Sequence, residues 1–124
     1  MVDQDLHGHR ILVVEDEYLI ADDLRTALEM AGAEVLGPVP SVADAEELIA
    51  SDPAIDAALL DVNVRGEQIF AVADRLIELG VPFVFATGYD QASIPDRYSD
   101  RPRLEKPIKS RQIVSILHPL LQMT

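Results

Sequence analysis

Three unbroken apolar runs, Ile11-Leu12-Val13-Val14, Ala57-Ala58-Leu59-Leu60 and Phe83-Val84-Phe85-Ala86, each stop at a polar residue: Glu15, Asp61 and Thr87 respectively. A strand that is apolar at every position must be covered on both faces, the condition of parallel strands in a sheet with helices above and below. The intervening segments supply those helices. Residues 17–31 repeat apolar side chains at helical spacing (Ile20, Leu24, Ala27, Leu28, Ala31) and close on Gly32, a fitting C-terminal cap. A later stretch does the same with Ile69, Val72, Ala73, Leu76 and Ile77 before Gly80. Strand and helix alternate five times, so the expected class is α/β with a doubly wound parallel sheet.

The other elements are shorter. Residues 34–39 read as a second strand, and Ser41 with Asp44 three residues on resembles a helix N-cap. Val42, Ala45, Leu48 and Ile49 form that helix's apolar stripe, and Asp52-Pro53 ends it. Residues 103–105 make a short fifth strand before Lys106-Pro107. The last helix starts near Ser110, with Ile113, Ile116, Leu117 and Leu120 apolar. Pro119 is expected to kink or end it, because its ring clashes with the carbonyl four residues earlier. Between Tyr89 and Pro102 lie Pro95, several charges and no sustained apolar period, so only a short, weak or mobile fourth helix is expected there.

The chain of 124 residues corresponds to one domain, 1–124, at roughly 100–200 residues per domain. Its 48% hydrophobic and 26% charged content excludes disordered and collagen-like classes. The absence of cysteine excludes thiol nucleophiles, CxxC redox chemistry and Cys-ligated metals. No apolar run approaches the ~18 residues of a membrane span. The opening MVDQDLHGHR lacks the basic-then-apolar order of a signal peptide, so the expectation is a cytoplasmic protein with no membrane partner. A formal net charge of −12 argues against the phosphate-neutralising footprint of a nucleic-acid binder. Residues 1–61 hold 15 acids against 2 bases, while six of the ten bases fall between Arg97 and Arg111. Most of these charges read as solvated surface. The acids at strand ends are the exception.

Glu15 and Asp16 follow the first strand, Asp61 the third, Thr87 the fourth and Lys106 the fifth. In an open parallel sheet these ends line one edge, where ligands bind at the topological switch point. Neighbouring strands lie about 4.8 Å apart, so three carboxylates converge there if the first and third strands are adjacent. Carboxylates that close do not all ionise comfortably without a cation between them, and a hard, oxygen-seeking ion such as Mg²⁺ resolves the conflict. Thr87 and Lys106 then offer a hydroxyl and a point positive charge, which a transferred phosphoryl group needs around its oxygens. Asp61, between metal and cation, is the candidate nucleophile that takes the phosphoryl group as an acyl phosphate. Singly, an acid after a strand is often only a helix N-cap and a Lys before Pro often only exposed. The ordered set at four strand ends is what carries the chemistry.

The runs Ile11-Leu12-Val13-Val14-Glu15-Asp16-Glu17, Leu59-Leu60-Asp61-Val62-Asn63, Thr87-Gly88 and Glu105-Lys106-Pro107 together resemble the response-regulator receiver domain of two-component signalling. The similarity covers about residues 9–121, and Phe85-Ala86-Thr87-Gly88-Tyr89 further resembles the FAT-GUY single-domain receivers of alphaproteobacteria. The resemblance implies a flavodoxin-like five-stranded sheet in the order 2-1-3-4-5. It implies a phosphoryl donor that is a sensor histidine kinase, HWE-type kinases included, or a histidine phosphotransfer protein. It makes Asp61 the phosphoacceptor, Thr87 the switch hydroxyl and Lys106 the phosphate-binding lysine. Asp16 and Asp61 become direct Mg²⁺ ligands, Asn63 a ligand through its backbone carbonyl and Glu15 a contact through water. Pro107 matches a proline that often follows the lysine through a cis bond. Tyr89, two residues after Thr87, is a candidate for gating the water that hydrolyses the acyl phosphate.

This sequence departs from the pattern in three places. Glu15-Asp16 stands for the commoner Asp-Asp. The loop after Asp61 lacks the usual proline four positions on, where it has Arg65, and reaches its glycine early at Gly66. Three residues before Lys106, Arg103 replaces the usual Tyr or Phe, so the ordinary Thr–aromatic relay is missing. Ordering of residues 89–102 on phosphorylation is the expected substitute. Phe70 and Phe83 read as core, His7 and His9 as a loose terminus, and His118 as a boundary residue. The leading expectation is a stand-alone receiver with only self-phosphorylation and self-dephosphorylation chemistry. A receiver-like interaction scaffold and a Mg²⁺-dependent aspartyl-phosphate phosphohydrolase are the alternatives. The latter is weakened because Asn63, two residues after the nucleophile, cannot serve as a general acid. Neither GxGxxG nor GxxxxGK[ST] occurs, so a nucleotide cradle is absent.

Overall fold

Five parallel strands form the sheet of the computed structural model, which describes residues 6–51, 54–88 and 94–122. They are β1 (Arg10–Val14), β2 (Glu34–Val39), β3 (Ala57–Asp61), β4 (Phe83–Thr87) and β5 (Arg103–Glu105). Their spatial order is β2-β1-β3-β4-β5, a flavodoxin-like arrangement. The helices are α1 (Tyr18–Met30), α2 (Val42–Ser51), α3 (Phe70–Leu79) and α4 (Ser110–Leu121). Where a fourth helix of five would stand, the described residues hold one 3₁₀ turn, Asp96–Tyr98.

The apolar runs form central strands because alternate side chains feed two separate cores. Leu12 and Val14 of β1 join Val42, Ala45 and Ile49 of α2 and Phe70, Ala73 and Leu76 of α3 on one face. Ile11 and Val13 join Leu24 and Leu28 of α1 and Ile113 and Leu117 of α4 on the other. Local chemistry sets the helix ends. Ser41 Oγ accepts the Asp44 amide at 3.1 Å, and Gly80 takes the left-handed conformation (φ 72°) that closes α3.

Four features correct or refine the expectations. The terminus is tied down over its described part: Leu6 is fully buried, its amide bonds Ala31 O at 3.1 Å, and the Gly8 amide bonds Gly32 O at 3.1 Å. The loop after Asp61 is a small hairpin, Asn63–Val64 paired antiparallel with Glu67–Gln68. Helix α4 runs two residues past Pro119, to Leu121. Ile77 is exposed, while Leu76 beside it is buried.

The described part of the charged segment, residues 94–102, is packed onto the sheet. Tyr98 is fully buried, stacked on Phe70 at 5.3 Å and edge-on to Phe85 at 5.5 Å between ring centroids. Its hydroxyl donates to the Asp74 carboxylate and lies 3.2 Å from Phe70 O. This stretch therefore already has its tertiary contacts, against the expectation that phosphorylation must order all of it.

Candidate functional site

Strand register assembles the site. Val14 pairs with Leu60, so Glu15 emerges beside Asp61. Asp61 pairs with Ala86 and Thr87 with Glu105, which brings Thr87 and Lys106 to the same edge. The Lys106 amide bonds Thr87 O at 2.7 Å and so locks the two ends together. The peptide bond between Lys106 and Pro107 is cis, as the resemblance implied, and so is that between Gly37 and Pro38.

Glu15, Asp61 and Thr87 are the buried polar side chains among the described residues, at 2%, 3% and 7% exposure. Lys106 Nζ lies 2.9 Å from Glu15 Oε1 and 3.2 Å from Asp61 Oδ1, bridging both acids. Beyond that ammonium the two oxygens have no hydrogen-bond partner, while Glu15 Oε2 accepts the Glu17 amide at 3.1 Å. Burial raises the Glu15 carboxyl to about 7; Lys106 opposes the rise and the Asp61 charge adds to it. Burial raises Asp61 too, again against the pull of Lys106. Burial disfavours the Lys106 ammonium, but the two carboxylates outweigh it and its pKa ends above the ordinary value.

Asp16 is exposed, and its Oδ2 accepts the Arg65 amide at 2.9 Å. Oxygens of Glu15, Asp16 and Asp61 all lie within 4.8 Å of one another. Three convergent carboxylates, two with buried oxygens short of partners, suit a hard divalent cation such as Mg²⁺. Asn63, exposed, opens the hairpin two residues after Asp61. The Thr87 hydroxyl donates to Leu104 O at 3.4 Å, a long contact. An open cleft of about 340 Å³ reaches the acids from the α1 side, with Tyr18, Arg25, Pro38 and Arg65 among its walls.

The structure thus gathers Glu15, Asp16, Asp61, Thr87 and Lys106 at one edge. Tyr89 lies outside the described residues. The backbone donor of Arg65 escaped the sequence reading, although Arg65-Gly66 carried a signal as a two-residue turn.

Chemically, the arrangement offers a buried carboxylate, an ammonium fixed beside it, a hydroxyl and an acidic cluster that could hold a cation. No protein-family model matches the chain. It is similar to SdrG from Sphingomonas melonis, whose solution structure shares 43% identity over 91% of this chain and 96% of that one, with a TM-score of 0.82. The BeF3-activated conformation of SdrG gives 40% identity and a TM-score of 0.76 over 98% of this chain and 99% of that one. A response regulator receiver protein from Sinorhizobium medicae gives 28% identity and a TM-score of 0.79, covering 93% of this chain and 95% of that one. Sensory transduction protein LytT of Bacillus cereus is 38% identical over 89 residues, 68% of this chain; the chain spans 35% of that protein's length. Among the described residues no helix is long and apolar enough to cross a membrane. On its fold, its strand-end residues and these likenesses, the chain belongs to the response-regulator receiver family.

Proposed function

We propose that Asp61 accepts a phosphoryl group from a phosphohistidine, on a sensor histidine kinase or a histidine phosphotransfer protein of the cytoplasm, in a Mg²⁺-dependent reaction. The observation that carries this reading is the Lys106 ammonium 3.2 Å from a nearly buried Asp61 carboxylate, with Glu15 held to the same ammonium. A salt bridge made only for stability has no need of two acids for one base, because the surplus charge is costly to bury. A phosphoryl site does need that surplus, to hold a cation.

The Asp61 oxygen donates an electron pair to form the new phosphorus–oxygen bond as the phosphorus–nitrogen bond breaks, and the imidazole leaves with the electron pair of the broken bond. Phosphoryl transfer asks for positioning and charge neutralisation more than for acid–base machinery. Lys106 does both: it opposes the burial that disfavours the Asp61 charge, and it remains beside the position the phosphoryl oxygens would take. Thr87 adds a hydroxyl whose present contact with Leu104 O is long enough to exchange. Mg²⁺, held by Glu15, Asp16, Asp61 and the Asn63 carbonyl, would supply the remaining neutralisation of the phosphoryl oxygens. The relative SdrG has a BeF3-activated conformation, and beryllofluoride is a tetrahedral stand-in for a phosphoryl group, which supports the same chemistry here.

Output then passes by protein contact or by competition for phosphate, with no turnover of free phosphomonoesters. Intact-mass measurement after incubation with Mg²⁺ and a small acyl-phosphate donor tests the reading. One added phosphoryl group is expected on the parent and none on Asp61→Asn. Catalytic release of phosphate from a phosphomonoester would replace the reading with a phosphohydrolase.

A further inference from the structure

The early glycine after Asp61 has a structural consequence. Arg65 and Gly66 take φ of 52° and 80°, and Val64 pairs with Glu67 across them. Two consecutive positive φ values mark a type I′ hairpin turn, the two-residue connection whose twist matches antiparallel arms. The hairpin is rooted in the core: Val62 and Val64 are buried, the Val62 amide bonds Ala86 O at 3.3 Å, and the Ile69 amide bonds Val62 O at 3.0 Å. At its tip the Arg65 amide points at Asp16 Oδ2, 2.9 Å away and 49 residues distant in sequence.

Asp16 needs such a tether. It is the exposed member of the acidic cluster, so packing does not hold its carboxylate beside the other two. We infer that the Arg65-Gly66 turn is a positioning element that holds the Asp16 carboxylate in the cluster for a divalent cation. This role rests on the metal reading above. It depends on the departure at position 65, because a proline there has no amide hydrogen and cannot adopt a φ of 52°. The donor is backbone, so Arg65 acts through its conformation rather than through its charge.

Two substitutions separate this role from simple folding. Arg65→Gly keeps the amide and relieves the positive φ; Arg65→Pro removes both donor and turn. Mg²⁺ affinity by calorimetry, thermal unfolding without metal and amide exchange at Arg65 are the readouts. Arg65→Gly is expected to bind Mg²⁺ within about threefold of the parent. Arg65→Pro is expected to bind about 10- to 100-fold more weakly, the usual loss on removing a group that orients a metal ligand. The parent's Arg65 amide is expected to be protected without metal and to lose that protection in Asp16→Ala. Equal Mg²⁺ affinity in the two Arg65 variants, or an unprotected Arg65 amide in the parent, overturns the positioning role alone. A protected amide in a parent that takes up no Mg²⁺ overturns the metal reading, and this role with it.

Discussion

Two polar clusters adjoin the apolar cores, one buried around Lys106 and one at the surface beside Tyr98, and they are built on opposite terms. Around Tyr98, each group has a partner: the hydroxyl donates to Asp74, Arg97 pairs with Asp74 at 3.3 Å, and the guanidinium lies 4.6 Å over the Tyr98 ring. The Tyr98 hydrogen bond accordingly lowers the Asp74 pKa, so the charge is welcome where it sits. Around Lys106, two nearly buried acids share one base and both carboxyls are raised. Charge is unwelcome there, and the cluster persists in that condition. Polar groups kept in electrostatic conflict mark sites that bind or react, whereas satisfied ones mark architecture.

The most forceful way to break the contrast is Lys106→Met. It leaves Glu15 and Asp61 buried without their base, and a loss of about 3–5 kcal/mol in urea-induced unfolding at pH 8 is expected. A loss below that of Tyr98→Phe would show that the acids are solvated and the conflict small.

The next effect is pH. The folded chain keeps a proton on Glu15 that the unfolded chain releases at 4.5, so stability falls as pH climbs from 4.5 to about 7 and levels off above. Asp61, also raised, slopes the same way. Metal-free protein is expected to lose on the order of 2–3 kcal/mol between pH 5 and pH 8, and Glu15→Gln to remove most of that slope. Stability that is flat over this range in the parent would contradict the raised carboxyls.

Tyr98→Phe sharpens the comparison from the other side. It removes a satisfied hydroxyl and is expected to cost about 1–2 kcal/mol in urea unfolding, while leaving the intact-mass gain on Asp61 unchanged. Asp74 is lowered, so its contribution is full above the ordinary carboxylate range and fades only as pH falls through its depressed value. The penalty of Tyr98→Phe is therefore expected to shrink in strong acid. Smallest is Arg97→Met: its ion pair is half exposed, and only a marginal thermal shift, vanishing in high salt, is expected.

Much of the site was legible because parallel sheets leave so little choice. A strand buried on both faces reads as an apolar run, its end marks the functional edge, and Glu15, Asp61 and Thr87 each follow or end one; Lys106 follows the short, largely exposed strand β5. Tyr98 was not legible. It is one aromatic among charges and prolines, with no period around it, and its burial comes from Phe70, Phe83 and Phe85, between 13 and 28 residues earlier in the chain. Leu6 was hidden in the same way, since one apolar residue in a polar tail carries no pattern until the end of α1 meets it.

The sequence by itself determined the alternation of strand and helix, the residues at the strand ends and the chemistry those types can perform. These follow from hydrophobic period and from short-range backbone preferences, which act within a few residues. The tertiary structure alone decided that one ammonium spans Glu15 and Asp61, that the Arg65 amide reaches Asp16 and that a segment with no pattern seals one core with Tyr98. Each of these joins residues far apart in the chain, through distances that only the packed register of five strands sets.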